Sequence, residues 1–220
     1  MSQDFRLNRL LSQPLTSLLL KTPVTPNQVT FLSLFFGVLA GCLFSTALWP
    51  YELLAALSYQ FAVVLDNCDG EIARAKNMRS SFGAWLDIAV DFCIDLVLFS
   101  GLAVAVAKKG YPGPVALFLF LCLSGTSIHF ALVVLEKLKG FGPAAFGAPH
   151  PDHKTRRNFF LTAFDALREG EASWLVLLLV LTHRTEYLLW FGGIYMQLIW
   201  MSGLFVNFKW LFLKASHENR

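Results

Sequence analysis

Asp66-Asn67-Cys68-Asp69-Gly70-Glu71-Ile72-Ala73-Arg74 is followed, after eight residues, by Gly83-Ala84-Trp85-Leu86-Asp87-Ile88-Ala89-Val90-Asp91. On helices, Asp66 and Asp69 (i,i+3) share one face, and Asp87 and Asp91 (i,i+4) share another. An apolar run adjoins each pair: Leu53 to Leu65 before the first and Leu96 to Ala107 after the second. Neither run alone crosses a bilayer, which takes about 20 residues, so each reaches that length only by drawing the neighbouring carboxylates into the membrane. The reading is two antiparallel spans joined by the short turn at residues 77–80. At 1.5 Å per residue, Asp69 and Asp87 lie roughly 10 Å from the turn and Asp66 and Asp91 roughly 15 Å from it, so the pairs meet level.

The rest of the chain fits a membrane setting. Of 220 residues, 55% are apolar or aromatic and 15% charged, with 21 Phe and 6 Trp. A small aqueous domain has too little polar surface to cover such a core. Net charge is only +3, which gives no support to a nucleic-acid partner. Cys42, Cys68, Cys93 and Cys122 all fall in apolar stretches without C-x-x-C spacing and read as buried small hydrophobes. The first twenty residues carry no small-residue cleavage site, and no removable leader is expected.

Gln28 to Trp49, Gly110 to Leu135 and Tyr187 to Phe208 contain no Asp, Glu, Lys or Arg and are long enough to cross unaided. Ala172 to Thr182 is a third short run, which must extend back into 158–171. The expected fold is therefore all-α and integral to the membrane, with six transmembrane helices and both termini cytoplasmic. That orientation leaves only Lys108, Lys109 and Arg184 of the 18 Lys and Arg on the outer side, as the positive-inside rule requires. Before the first span, Phe5, Leu7, Leu10, Leu11, Leu15 and Leu18 form a stripe beside Arg6 and Arg9, which predicts an amphipathic helix on the inner leaflet. Thr25-Pro26-Asn27-Gln28 carries the capping-box pattern for the first span. The organisation follows: an interfacial segment at 1–24, a six-helix catalytic domain at 25–213 and a cytoplasmic tail at 214–220.

Charge inside a bilayer is expensive, and four carboxylates beside one Arg74 stay ionised only if cations neutralise them. Two divalent ions match the charge. All-oxygen ligation favours Mg²⁺ or Mn²⁺, and paired ions serve phosphoryl transfer by clamping attacking and leaving oxygens. Gly70 and Gly83 leave room for a ligand at the backbone, or else let helices pack closely in lipid. Asp95 continues the row beyond Asp91, and its expected role is a hydrogen bond between helices, with substrate contact as the alternative. A cation transporter using intramembrane aspartates is the rival from another class, although an ion path has no need of Arg74 beside its carboxylates.

The pattern Asp66-x-x-Asp69-Gly70-x-x-Ala73-Arg74, eight residues, Gly83-x-x-x-Asp87-x-x-x-Asp91 resembles the signature of the CDP-alcohol phosphatidyltransferases at all eight fixed positions. The resemblance implies a membrane enzyme that moves a phospho-alcohol group from a CDP-linked donor to a hydroxyl acceptor and releases CMP. It implies that Asp66, Asp69, Asp87 and Asp91 ligate two divalent metals, with Asp91 also the catalytic base. Gly70, Ala73, Arg74 and Gly83 would line the nucleotide site, joined by Asn27 and Thr30 at the head of the first span. Members of the family are generally homodimers, and the active site would lie at the cytoplasmic side, at the inner membrane if the cell is bacterial.

Substrates are less legible. The strings Asp69 to Arg74 and Phe82 to Asp87 are similar to the branch that uses inositol-type substrates. Phe92 stands where some phosphoinositol-lipid synthases carry Arg. Two donor types stay open: CDP-diacylglycerol with a polar alcohol, or a CDP-linked polar head group with a lipid or polyol acceptor. Lys154, Arg156, Arg157 and Arg168 could hold an acceptor phosphate or simply sort to the inner leaflet. His150 and His153, between prolines, read as loop residues.

Overall fold

The computed structural model describes residues 7–111, 113–139 and 172–218. They form seven helices: α1 (Leu7–Leu19), α2 (Pro26–Phe44), α3 (Trp49–Ala75), α4 (Ser81–Lys108), α5 (Val115–Lys139), α6 (Ala172–Leu181) and α7 (Glu186–Glu218). Among the described residues there is no strand. The predicted basic and histidine positions from His150 to Arg168, the helical extension over 158–171 and Phe5 lie outside the described residues.

Both expected extensions at the aspartates form. α3 runs unbroken for 27 residues and α4 for 28, about 40 Å each. Between them Asn77 adopts φ 54°, a left-handed conformation that Asn tolerates better than most residues. Ser80 then caps α4, its Oγ accepting the Gly83 N–H at 2.9 Å. At α2, Gln28 Oε1 accepts the Thr25 N–H at 2.9 Å, with Pro26 as first helical residue.

Helices α2, α4 and the stretch Val115–Leu135 of α5 are long and apolar enough to cross a membrane. Several boundaries differ from expectation, and α7 continues past Phe208 to Glu218, through residues 214–218 of the expected tail. The first span ends at Phe44 rather than Trp49, because the chain turns through Ala47 (φ 62°) and Trp49-Pro50 opens α3. α5 begins at Val115 rather than Gly110, after Gly113 (φ 147°) and Pro114. Leu96 to Ala107, too short to cross alone, reaches spanning length as expected within α4, which takes in Asp87, Asp91 and Asp95.

α2 packs against α3 and α4, and α5 packs against α7. The α2–α4 contact needs small residues: a Cβ on Gly101 would run into the Gly41 carbonyl, and one on Gly37 would meet Ile94 at 2.5 Å. The outer surface is apolar, with Phe31, Phe35, Leu117, Phe120 and Ile194 all exposed, which is how a membrane protein meets lipid and how a water-soluble one does not. Cys68 and Cys122 are buried, but Cys42 and Cys93 are exposed. That corrects the expectation for the latter two: on a lipid-facing surface a small apolar thiol has no need of burial within the protein.

The basic residues sort by end. Away from the aspartates, the buried Glu52 carboxylate pairs with Lys109 at 2.5 Å, Lys109 Nζ donates to Thr185 Oγ1 at 2.9 Å, and Lys108 Nζ donates to the Ser45 carbonyl at 2.8 Å. At the aspartate end, Lys76 Nζ donates to the Thr22 and Val24 carbonyls, and Lys137 Nζ to the Ala84 carbonyl at 2.8 Å.

α1 forms where expected, but its polar face is the one that docks. Leu7, Leu10, Leu11 and Leu18 are exposed while Asn8, Ser12 and Thr16 are buried. Gln60 Nε2 donates to Asn8 Oδ1 at 2.6 Å. Ser12 and Thr16 hydroxyls donate to the two Glu71 carboxylate oxygens at 3.1 and 2.6 Å. The i,i+4 row of small polar residues is the signal that a search for the apolar stripe alone passes over.

Candidate active site

Because α3 and α4 start and stop at the same turn, their acidic faces oppose each other at equal depth. Carboxylate oxygens of Asp66, Asp69 and Asp87 lie within 4.8 Å of one another. Carboxylates this close repel one another unless a cation lies among them. Hard oxygen donors gathered in this way suit a small divalent ion. Asp91 lies outside that trio, and beside Asp66 it lines a cavity of about 420 Å³. Asp69 and Asp87 line a second cavity of about 240 Å³. The level pairing expected from the two helices is thus realised as one pair per cavity.

The smaller cavity collects every residue expected at a nucleotide: Asn27, Thr30, Gly70, Ala73, Arg74 and Gly83 all line it. α2 contributes through its N-terminal turn, where Thr30 Oγ1 donates to Asp69 Oδ2 at 2.6 Å. The two glycines do not serve helix packing. A Cβ on Gly70 would meet the Arg74 guanidinium at 3.3 Å, and one on Gly83 would lie 3.1 Å from Asn27 Oδ1 and Ser80 Oγ. They keep the cavity open, while Gly37, Gly41 and Gly101 bring helices together. Arg79 also lines this cavity. The sequence signal for it was its place in the turn facing Arg74, which charge sorting alone absorbed.

The larger cavity runs from Asp66 and Asp91 toward the middle of the bundle and includes Asp95. The row at i,i+4 keeps Asp95 on the face shared with Asp91, so its carboxylate lines the same cavity. Phe92, at the position noted for its lack of charge, stacks on Phe130 at 4.4 Å between centroids.

Known proteins are similar to this chain in sequence and in fold. The family profile of the CDP-alcohol phosphatidyltransferases matches residues 23–198. A bifunctional IPC transferase and DIPP synthase of Archaeoglobus fulgidus is 31% identical over 177 residues, 77% of this chain and 33% of that protein. The chain spans a third or less of the length of the bifunctional relatives it matches. An archaetidylinositol phosphate synthase of Pyrococcus horikoshii is 27% identical over 67% of this chain and 73% of its own length. Among solved structures, the Mycobacterium tuberculosis phosphatidylinositol phosphate synthase with CDP-DAG bound superposes with a TM-score of 0.58 at 19% identity, over 90% of this chain and 93% of that one. The same enzyme in complex with manganese and citrate gives 0.57 at 20% identity, over 88% of each chain. That similarity establishes a shared fold.

Proposed function

This chain belongs to the CDP-alcohol phosphatidyltransferase family, and from that premise we propose that it transfers a phospho-alcohol group, most simply phosphatidyl from CDP-diacylglycerol, to an inositol-type alcohol and releases CMP. The observation that carries the reading is the junction of two cavities at one carboxylate cluster. A reaction that joins two substrates at one phosphorus needs that layout, and an ion path does not.

Asp66, Asp69, Asp87 and Asp91 hold two divalent cations, Mg²⁺ or Mn²⁺, with the trio as the tighter set. Divalent ions held by these carboxylates would supply positive charge to offset the pyrophosphate and the departing CMP. Arg74, beside Gly70, adds a guanidinium fork to the same phosphates, and Asn27 and Thr30 complete the nucleotide side. Asp91 takes the proton from the acceptor hydroxyl as its oxygen attacks the donor phosphorus and the bond from that phosphorus to the CMP oxygen breaks. No covalent enzyme intermediate is required.

In the membrane, six helices cross with both termini and the active site on the cytoplasmic side, residues 1–24 lie at the interface, 25–213 form the catalytic domain and 214–220 extend as a tail. The basic end of the bundle at Arg74, Lys76, Arg79 and Lys137 supports that orientation. The exposed apolar helices leave room for a homodimer, in keeping with the family.

The test is CMP release by purified protein with Mg²⁺, offered CDP-diacylglycerol or CDP-linked head groups against myo-inositol, its 1-phosphate and glycerol 3-phosphate. Release with CDP-diacylglycerol and an inositol-type alcohol, abolished by EDTA and restored by Mg²⁺ or Mn²⁺, is the expected result. Undiminished turnover in chelator would overturn the metal assignment. Release only with a CDP-linked head group would exchange the donor.

A further inference from the structure

The two cavities that meet at the carboxylates differ in charge. Arg74 and Arg79 line the smaller one. The larger has no Lys or Arg among the described residues that line it. Its polar wall is Tyr59, Asp95, Thr126, His129 and Tyr195, set opposite apolar residues such as Val63 and Phe130. Thr126 is only 3% exposed, and its Oγ1 has no hydrogen-bond partner among the described residues. A buried hydroxyl left unpaired is unusual in a folded protein and marks a position where a ligand or water completes the bond.

The occupant follows from these groups. A phosphate or carboxylate would face Asp95 with no Lys or Arg among the described lining residues to offset the repulsion. An acyl chain would leave Asp95 and Thr126 unsolvated in an apolar surround. A polyol meets both needs, because a hydroxyl donates to a carboxylate and either donates to or accepts from a threonine hydroxyl. The volume, about 420 Å³, is within the range of small-molecule sites.

We infer that this cavity holds the hydroxyl-bearing body of the acceptor, with Asp95 and Thr126 determining specificity through hydrogen bonds to hydroxyls remote from the attacking one. Any phosphate on the acceptor lies outside it. The inference rests on the acceptor class given under Proposed function, and the experiment separates the two.

Full-length protein with Mg²⁺ is assayed for equilibrium binding of radiolabelled myo-inositol and of its 1-phosphate, and in parallel for CMP release from CDP-diacylglycerol with the same alcohols and a deoxyinositol. Thr126→Val and Asp95→Asn should each weaken binding of the labelled polyol and raise its KM at least about tenfold, narrow the preference for inositol over deoxyinositol, and leave CDP-diacylglycerol affinity in place. Thr126→Ser, which restores the hydroxyl in a smaller volume, should return toward the parent protein. A packing role would give the reverse order, with Val tolerated and Ser harmful. Absence of labelled-polyol binding to the parent protein, or equal binding by Thr126→Val and Asp95→Asn, overturns the inference. Binding that these variants abolish, in a protein releasing no CMP with either alcohol, overturns the proposed reaction and upholds the cavity assignment.

Discussion

Thr30 on α2 donates a 2.6 Å hydrogen bond to Asp69 Oδ2 on α3. That bond ties the N-terminal turn of α2, which lines the nucleotide cavity, to the carboxylate cluster, and it aims one Asp69 oxygen while leaving the other for a cation. Partners that orient a ligand in this way typically account for 10- to 100-fold in metal affinity. Thr30→Val keeps the side-chain shape and removes the donor. It should raise the Mg²⁺ concentration for half-maximal CMP release by roughly that factor. A metal titration of turnover checks it, and an unchanged midpoint would return Thr30 to a packing role.

Asp91 stands apart from the trio of Asp66, Asp69 and Asp87 and opens on the larger cavity. A base that meets the acceptor should sit there. Asp91→Asn keeps one coordinating oxygen and loses the proton acceptor, so single-turnover CMP release should fall by about 10²–10⁴-fold. Donor binding by isothermal titration should weaken far less. An equal fall in both would make Asp91 a ligand alone.

Gly83 leaves the nucleotide cavity open beside Asn27 and Ser80. Gly83→Val would push branched carbon against Asn27 Oδ1 and the Ser80 cap. It should raise the KM for the CDP-alcohol at least about tenfold, whereas Arg74→Ala, which removes a transition-state contact, should lower kcat as well. Steady-state kinetics with the donor varied distinguishes the two patterns.

The pair of Glu52 and Lys109 lies at the opposite end of the bundle and is buried on the Glu52 side. Lys109→Met strands a buried carboxylate and should cost about 3–5 kcal/mol of stability. Glu52→Gln together with Lys109→Met removes both charges and should recover much of it. Thermal unfolding in detergent measures both. A double variant as unstable as Lys109→Met would show that the charges matter little.

The helical register and the depth of the four aspartates were legible from the sequence. Covalent spacing at 1.5 Å per residue and the length of apolar chain a membrane needs are properties of the chain itself. The signature from Asp66 to Asp91 resembled one family, and the match over residues 23–198 bears that family out.

What the chain could not reveal was which side of each element faces a partner. Leu7, Leu10 and Leu11 read as the membrane-facing stripe of α1 and are exposed, but the stripe gave no sign that Ser12 and Thr16 on the other face dock on Glu71. Gly70 and Gly41 look alike in sequence. Only the tertiary structure gives one an open cavity and the other a neighbouring helix. Thr126 and Asp95 lie on different helices, so their common cavity exists only after α4 and α5 pack. Spacing along one helix is set by local geometry, whereas convergence between helices depends on packing across long sequence separations, which no local pattern encodes.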